Sequence, residues 1–289
     1  MEGVGRLSRI RLRHYFGLVK FSHTLFAMPF ALASMVWAAG GLPKLSVFLL
    51  IVLCMVACRN AAMSFNRLMD AGIDQENPRT AGRHLPAGIL SRRQVWFFFV
   101  GNVLVFVTAT YFINTLAFAL SLPALTAVCA YSVTKRFTAL SHFFLGLAIG
   151  ISPVGAWIAV RGGFSWQPIL LCLALLTWIA GFDIIYATQD FEFDRRRGLH
   201  SMVVRYGVAG ALLAAKALHA VMWLILLALG WLAGLGLGYY VSLGVIALLL
   251  LYLHVFRHGA SLESMNQDFF LANIAVSLCV MAGIVVEFI

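Results

Sequence analysis

The chain has 289 residues, of which 62% are hydrophobic and only 11% are charged. Its mean hydropathy of +0.92 lies well outside the range of soluble proteins and predicts an integral membrane protein. The net charge of +10 does not indicate a nucleic-acid-binding protein, because the basic residues are scattered between apolar segments rather than massed on one soluble domain.

The first twenty residues are rich in arginine, and we expect them to form a basic amphipathic lead-in on the cytoplasmic face of the membrane. Residues 21–289 then contain nine apolar segments, each close to the roughly 20 residues that a helix needs to cross a bilayer. The predicted spans are 21–40, 46–66, 95–113, 115–133, 140–160, 168–187, 209–233, 239–256 and 269–289. The pattern predicts an all-α polytopic membrane protein, organised as a single domain over residues 1–289.

The basic residues also predict the orientation of the chain. With the N-terminus inside, 17 of the 21 lysines and arginines fall on the inner side of the membrane. Only Lys44 and Arg161 fall outside, while Arg59 and Lys216 lie within spans. The asymmetry predicts an N-in, C-out protein of the cell (inner) membrane, with both long polar loops facing the cytoplasm.

A stripe of polar residues begins where the second predicted span ends. Asn66, Asp70 and Asp74 follow one another at steps of four, which advance only about 40° around a helix, so they share one face. Arg59, seven residues before Asn66, falls on the same face. Polar side chains aligned at the rim of a membrane span normally face a cavity, since contact with lipid would be costly.

A second acidic window follows the sixth predicted span. Asp183, Asp190 and Asp194 are separated by seven and four residues, so a continuous helix would place them on one face. Tyr186 falls on that face as well. The second window therefore repeats the helical pattern of the first.

The two windows are similar enough to indicate an internal repeat. Asp70 and Asp74 lie 120 residues before Asp190 and Asp194, and each pair ends an even-numbered span. Like charges at this spacing repel each other, so the arrangement requires a counter-ion. Mg2+ fits this role, because it prefers oxygen ligands and is usually held by one or two carboxylates together with substrate phosphates.

Four basic residues near the acidic windows are suited to binding phosphate oxygens, namely Arg79, Arg83, Lys135 and Arg136. Together with the acidic pairs they predict a metal–diphosphate site beside the bilayer. We therefore expect a substrate with a diphosphate head and a long hydrocarbon tail. The alternative is that both acidic pairs are solvated helix caps bonded to the local arginines.

Other reactive residue types are interpreted as structural. The five cysteines lie in apolar runs, are odd in number and form no CxxC pair, so neither a disulfide framework nor a zinc site is expected. His142, His219 and His254 are interpreted as packing or interface residues rather than ligands.

Taken together, these motifs resemble the UbiA family of intramembrane aromatic prenyltransferases, and the resemblance covers nearly the whole chain. The motifs that carry it are Asn66-x3-Asp70-x3-Asp74, Pro78-Arg79-Thr80-x2-Arg83, Tyr131-Ser-Val-Thr-Lys135-Arg136 and Asp183-x2-Tyr186-x3-Asp190-x3-Asp194. Within the family the chain is similar to the 4-hydroxybenzoate polyprenyltransferase-like branch, which includes members assigned to futalosine-route menaquinone synthesis.

The resemblance implies nine helices bundled around a central cavity. It also implies Mg2+-dependent transfer of a polyprenyl group from a polyprenyl diphosphate to an aromatic acceptor such as 4-hydroxybenzoate, in ubiquinone or menaquinone biosynthesis. Three alternatives stay open: a futalosine-derived acceptor, a haem or chlorophyll-like acceptor ring, and a secondary transporter that uses intramembrane carboxylates. We expect membrane lipid around the bundle and no obligate protein partner.

The resemblance assigns roles to the predicted site residues. The predicted catalytic residues are Asp70, Asp74, Asp190 and Asp194. The predicted Mg2+ ligands are Asn66, Asp70, Asp74, Asp183, Asp190 and Asp194. The predicted substrate-binding residues are Arg59, Asn66, Arg79, Arg83, Lys135 and Tyr186. Among these, Arg59 corresponds to an arginine close to where the aromatic acceptor would sit.

Overall fold

A computed structural model describes residues 13–19, 27–256 and 262–289. For 256 and 262–267 it describes the backbone alone. Much of the predicted basic lead-in and the beginning of the first predicted span therefore lie outside the described residues. The described helices are α1 (13–19), α2 (Met28–Ala39), α3 (Leu45–Glu76), α4 (Arg92–Ile113), α5 (Thr115–Thr134), α6 (Ser141–Gly150), α7 (Ser152–Arg161), α8 (Trp166–Ala187), α9 (Phe191–Arg197), α10 (Met202–Ala233), α11 (Leu237–Leu251) and α12 (Leu262–Val285).

This architecture confirms the predicted all-α membrane fold, since no strand occurs among the residues that the structure describes. Within the described ranges, eight helical stretches are long and apolar enough to cross a membrane, with α6 and α7 together forming one of them. The shorter apolar helix Met28–Ala39 belongs to the first predicted span, which begins outside the described part of the chain. The count of nine crossings therefore stays a prediction.

Helix α3 continues well past the predicted end of the second span. It runs to Glu76 without interruption, so Asn66, Asp70 and Asp74 lie on one continuous helix as expected. The helix ends because Pro78 disfavours helical geometry in the residue before it, and Asn77 is accordingly extended, with φ −88° and ψ 116°. The first acidic stripe is thus fixed on a rigid element.

The fifth predicted span corresponds to the stretch Ser141–Arg161, in which the helix is interrupted at Ile151. Helix α6 ends at Gly150 and α7 begins at Ser152, with Pro153 in the first turn, where a proline is tolerated. On α6, Gly146 packs so closely against α8 that a side chain there would collide with the carbonyl of Leu176. Small residues allow membrane helices to approach in this way, and the contact brings the N-terminal end of α6 toward the C-terminal end of α8.

The second acidic window is not one uninterrupted α-helix, as the prediction assumed, although its predicted residues all line one cavity. Helix α8 ends at Ala187, a 3-10 turn covers Thr188–Asp190, and α9 begins at Phe191. The hydroxyl of Thr188 donates to the carbonyl of Ile185 at 2.6 Å, a local bond that competes with regular helix geometry. The turn leaves Asp183 on a different helix from Asp194.

Helix α8 lies at the centre of the bundle, between α6 and α10. Its span is the most buried of those described, and Leu171, Leu175 and Trp178 on it are fully enclosed. Close packing of this kind restricts side-chain and backbone movement. Asp183, near the end of α8, is therefore carried by the most buried of the described spans.

Candidate active site

The structure brings every predicted site residue to one polar cavity of about 320 Å3, which lies among the ends of α3, α5, α6, α8 and α9. The predicted residues that line it are Arg59, Asn66, Asp70, Asp74, Arg79, Arg83, Lys135, Asp183, Tyr186, Asp190 and Asp194. Arg136 does not line the cavity, because its guanidinium donates to the carbonyl of Met69 at 2.6 Å.

The two acids of the first window are buried and paired with cations. Asp70 is 3% exposed and Asp74 is 4% exposed. Lys135 Nζ lies 2.7 Å from Asp70 Oδ2, and Arg83 Nη1 lies 2.7 and 2.8 Å from the two oxygens of Asp74. Buried carboxylates need such partners, since removing a charge from water is costly. Because Asp70 and Asp74 are buried, they are not solvated helix caps, and that alternative is excluded for the first window.

The loop that follows α3 binds the second acidic window. Arg79 Nε donates to Asp190 Oδ1 at 2.8 Å, and its Nη2 atom contacts Oδ2 of the same carboxylate. Asn77 also donates to Asp190 Oδ1, at 3.0 Å, and Arg79 donates to the hydroxyl of Tyr186 at 3.3 Å. Burial alone would lower the pKa of Arg79, but the hydrogen bond and charge of Asp190 raise it, so the guanidinium stays cationic.

A short chain of hydrogen bonds holds the amide at the start of the stripe. Asn66 Nδ2 donates to Asp70 Oδ2 at 3.1 Å, and Arg67 Nη1 donates to Asn66 Oδ1 at 3.5 Å. Arg67 is buried and its Nε atom donates to the carbonyl of Leu18 on α1 at 3.4 Å. Asn66 and Asp70 are therefore oriented before any ligand binds.

Some polar residues of this cavity were not among the predicted site residues, including Asn77, Arg67 and His142. His142, interpreted from the sequence as a packing residue rather than a ligand, is buried, lines the cavity and has its Nδ1 atom 2.7 Å from Asp183 Oδ2. The spacing in the sequence was one available signal, since His142 lies four residues before Gly146 and therefore on the same helix face. In the structure that face packs closely against α8. His219 and His254 contact each other, Nδ1 to Nε2 at 2.8 Å, and neither lines the polar cavity.

An apolar cavity of about 470 Å3 adjoins the polar one. It is lined by side chains of α3, α4, α5, α6 and α7, such as Ile51, Phe106 and Val128. Arg59 lines both cavities, together with Tyr131, and its Nη2 atom donates to the carbonyl of Val19 at 3.5 Å. The polar and apolar cavities therefore share one wall, which contains the guanidinium of Arg59.

Comparison with known proteins shows which family this sequence matches: residues 27–274 match the UbiA prenyltransferase family. The chain belongs to the UbiA prenyltransferase family. It is 32% identical over 222 residues to the 4-hydroxybenzoate octaprenyltransferase of Xanthomonas campestris pv. campestris, covering 76% of this chain and 73% of that protein. It is 35% identical over 196 residues to the same-named protein of Alcanivorax borkumensis, covering 68% and 67% of the two chains.

Solved structures of UbiA proteins share the fold. A UbiA homolog from Aeropyrum pernix K1 superposes with a TM-score of 0.83 at 30% identity, over 92% of this chain and 98% of that one. A UbiA homolog from Archaeoglobus fulgidus bound to GPP and Mg2+ superposes with a TM-score of 0.66 at 19% identity, over 94% and 99%. Membership of this enzyme family decides against the transporter interpretation.

The donor set of this UbiA chain fits Mg2+ that is shared with a phosphate ligand. Among the described residues no three acidic, histidine or cysteine side chains converge on a point where they alone could hold a metal. Mg2+ needs fewer protein ligands, since phosphates and water complete its shell. Asp70 Oδ1 is buried without a hydrogen-bond partner in the described structure, and Arg136 Nη2 lies 3.7 Å from it. That oxygen is a suitable ligand for a hard cation.

Proposed function

We propose that this chain transfers a polyprenyl group from a polyprenyl diphosphate to an aromatic acceptor such as 4-hydroxybenzoate, in a Mg2+-dependent reaction of quinone biosynthesis. The activity in the names of its relatives supports this function, and one observation of the structure carries it. The polar cavity contains both signs of charge that a metal diphosphate requires, and it shares a wall with an apolar cavity of about 470 Å3. A diphosphate head on a hydrocarbon tail matches this pair of cavities.

In the proposed complex the charged head occupies the polar cavity. The residues that would hold Mg2+ are Asn66, Asp70, Asp74, Asp183, Asp190 and Asp194. Arg79, Arg83 and Lys135 would bind phosphate oxygens, with Tyr186 beside them. Arginine suits this role because its planar fork binds two oxygens at once, whereas lysine acts as a point charge.

The ion pairs of the cavity would be exchanged when a metal diphosphate enters. Each of the three proposed phosphate-binding cations pairs with a proposed metal-binding carboxylate. The carboxylates can turn to the metal while the cations turn to the phosphate, so no charge is left buried alone. When bound, Mg2+ supplies positive charge that stabilises the diphosphate as it leaves.

The proposed reaction is an electrophilic aromatic substitution. The bond between the prenyl carbon and the diphosphate oxygen breaks, and the allylic cation forms a bond to the acceptor ring. The ring then loses a proton, for which a cavity aspartate or the released diphosphate suffices as a weak base. Arg59, which lines both cavities, would bind an acidic substituent of the acceptor.

We further propose that the site faces the cytoplasm of a cell that carries the protein in its inner membrane. The distribution of basic residues supports this orientation, with 17 of 21 on one side of the predicted spans. The described structure is that of a multi-pass membrane protein, with eight stretches able to cross a bilayer.

The experiment that tests this function uses membranes that contain the protein, one prenyl diphosphate and a panel of aromatic acceptors. The panel includes 4-hydroxybenzoate, a futalosine-derived acceptor and a porphyrin-type ring, with products identified by mass spectrometry. We expect one acceptor to gain the mass of the prenyl group in the presence of Mg2+ and none to gain it after chelation by EDTA. The acceptor that reacts also distinguishes the three acceptor classes.

Two variants and a matched control connect the activity to the cavity. Asp70→Asn and Asp190→Asn should abolish prenyl transfer while the protein still inserts into the membrane. Glu76→Gln should leave it unchanged, because Glu76 is exposed outside the cavity and paired with Arg197 at 2.6 Å. Near-normal turnover in both aspartate variants, or no product from the wild type with any acceptor, contradicts the proposed function.

A further inference from the structure

His142 is held from two sides at the edge of the polar cavity. It lies in the first turn of α6 and is 3% exposed. Its Nδ1 atom is 2.7 Å from Asp183 Oδ2 on α8, and its Nε2 atom is 3.3 Å from the backbone nitrogen of Met202 at the start of α10. One ring therefore connects three helices.

The contact with Met202 determines where the ring carries its proton. A backbone N–H can only donate, so Nε2 of His142 accepts through its lone pair and the proton resides on Nδ1. The Nδ1–H group then donates to the carboxylate of Asp183. Because Met202 is the first residue of α10, its N–H has no partner within the helix, and the ring satisfies it.

The packing of α6 against α8 places this pair. His142, Gly146 and Gly150 follow at steps of four and share one face of α6. A side chain at Gly146 would collide with the carbonyl of Leu176, and Leu176 lies seven residues before Asp183, on the same face of α8. The contact between His142 and Asp183 thus continues the close helix contact and does not depend on a flexible loop.

Asp183 differs from the other paired acids of the cavity in the partner that it has. Three carboxylates pair with lysine or arginine, which a phosphate ligand would attract away from them. The partner of Asp183 is an imidazole fixed by a helix N-terminus. The hydrogen bond from His142 can therefore persist when a diphosphate binds, and it leaves the second carboxylate oxygen available.

We propose that His142 is a positioning residue, which orients the carboxylate of Asp183 toward the cavity and so strengthens the binding of Mg2+ with the prenyl diphosphate. This inference rests on the proposed function. Residues that hydrogen-bond to a metal ligand fix its orientation, and their loss typically weakens metal binding or activity about 10- to 100-fold.

The test measures binding rather than turnover. Purified protein in detergent is titrated with geranyl S-thiolodiphosphate, a prenyl diphosphate analogue that does not ionise readily, at a series of Mg2+ concentrations in a calorimeter. His142→Leu should raise the Mg2+ concentration for half-maximal binding about 10- to 100-fold. His142→Gln should restore most of the affinity, because its amide can donate to Asp183 and accept from Met202. If the leucine variant does not fold, His142→Asn, whose amide is too short to reach both partners, replaces it.

A double-variant cycle separates positioning from a merely structural role. If His142 acts through Asp183, Asp183→Asn should weaken Mg2+-dependent binding, and adding His142→Leu should change it no further. The inference is overturned if the effects of Asp183→Asn and His142→Leu on Mg2+-dependent binding multiply. It is also overturned if His142→Gln binds as weakly as His142→Leu. Wild-type affinity in His142→Leu overturns this inference alone, whereas a wild type that binds the analogue without Mg2+ dependence overturns the proposed function with it.

Discussion

Arg79 and Asp190 lie 111 residues apart in the sequence and form a two-pronged ion pair in the folded chain. The same guanidinium lies 5.2 Å over the ring of Tyr186. One side chain therefore ties the loop after α3 to the turn after α8, and joins the two acidic windows into one cavity.

Replacing this guanidinium by an amine should impair the site although the charge is kept. Arg79→Lys removes the fork that binds Asp190 and is proposed to bind phosphate. We expect kcat/KM for the prenyl diphosphate to fall about tenfold or more, since a hydrogen bond to a charged group contributes about 1.5–3 kcal/mol. The matched control is Arg197→Lys, in the exposed pair with Glu76, where surface ion pairs contribute about 0–1 kcal/mol. Equal losses in both variants would contradict a special role for Arg79.

Removing one partner of the ion pair between Lys135 and Asp70 should destabilise the protein more than removing both partners. Lys135→Met leaves the carboxylate of Asp70, 4% exposed at its side chain, without its closest cation. We expect the melting temperature in detergent to fall, because an unpaired buried charge is destabilising. Adding Asp70→Asn should recover the stability, while prenyl transfer stays absent in the double variant. A double variant that is less stable than Lys135→Met would contradict the pairing.

The close contact between α6 and α8 predicts that one methyl group disturbs the site. Gly146→Ala places a Cβ against the carbonyl of Leu176, so the helices must separate, at a cost of about 1–3 kcal/mol. Because the same contact aligns His142 with Asp183, prenyl transfer should fall as well. Gly101→Ala on α4 is the control, since a Cβ there meets no atom within 4 Å. Activity and thermal stability of both variants check this expectation, and a fully active, fully stable Gly146→Ala would refute it.

Filling the apolar cavity should change which tail lengths are accepted. Ala124→Phe on α5 adds a ring to the lining of this cavity. Under the proposed function, turnover with a long polyprenyl diphosphate should fall more than turnover with geranyl diphosphate, because the longer tail needs more of the space. Leu122→Phe, on the lipid-facing side of the same helix, is the control. Competition between the two diphosphates measures the preference, and an unchanged ratio in Ala124→Phe would place the tail elsewhere.

The sequence was sufficient to predict the family, the membrane fold and the acidic residues of the cavity. The stripe of Asn66, Asp70 and Asp74 could be predicted because it depends only on the period of a helix that stays continuous to Glu76. The family is confirmed, and with it the class of enzyme. The roles assigned to individual residues stay predictions.

The pairing within the cavity could not be predicted, because it depends on tertiary structure. Arg79 could have bound either acidic window, and the course of the loop after Asn77 selects Asp190. The contact of His142 with Asp183 spans 41 residues and requires α6 to approach α8 closely. The 3-10 turn at Thr188 was missed because helical periodicity assumes that the helix continues.

The length of α3 determines how deep Asp70 and Arg59 lie in the bilayer. Asp70 lies 25 residues after Leu45, about 38 Å along the helix axis, which exceeds the roughly 30 Å thickness of the hydrocarbon layer even with moderate tilt. Arg59, 14 residues after Leu45, lies about 21 Å along the axis and thus within the hydrocarbon layer. Under the proposed function, a divalent ion would reach the aspartates at headgroup level without crossing the hydrocarbon layer, whereas an acceptor that binds at Arg59 would have to enter the membrane.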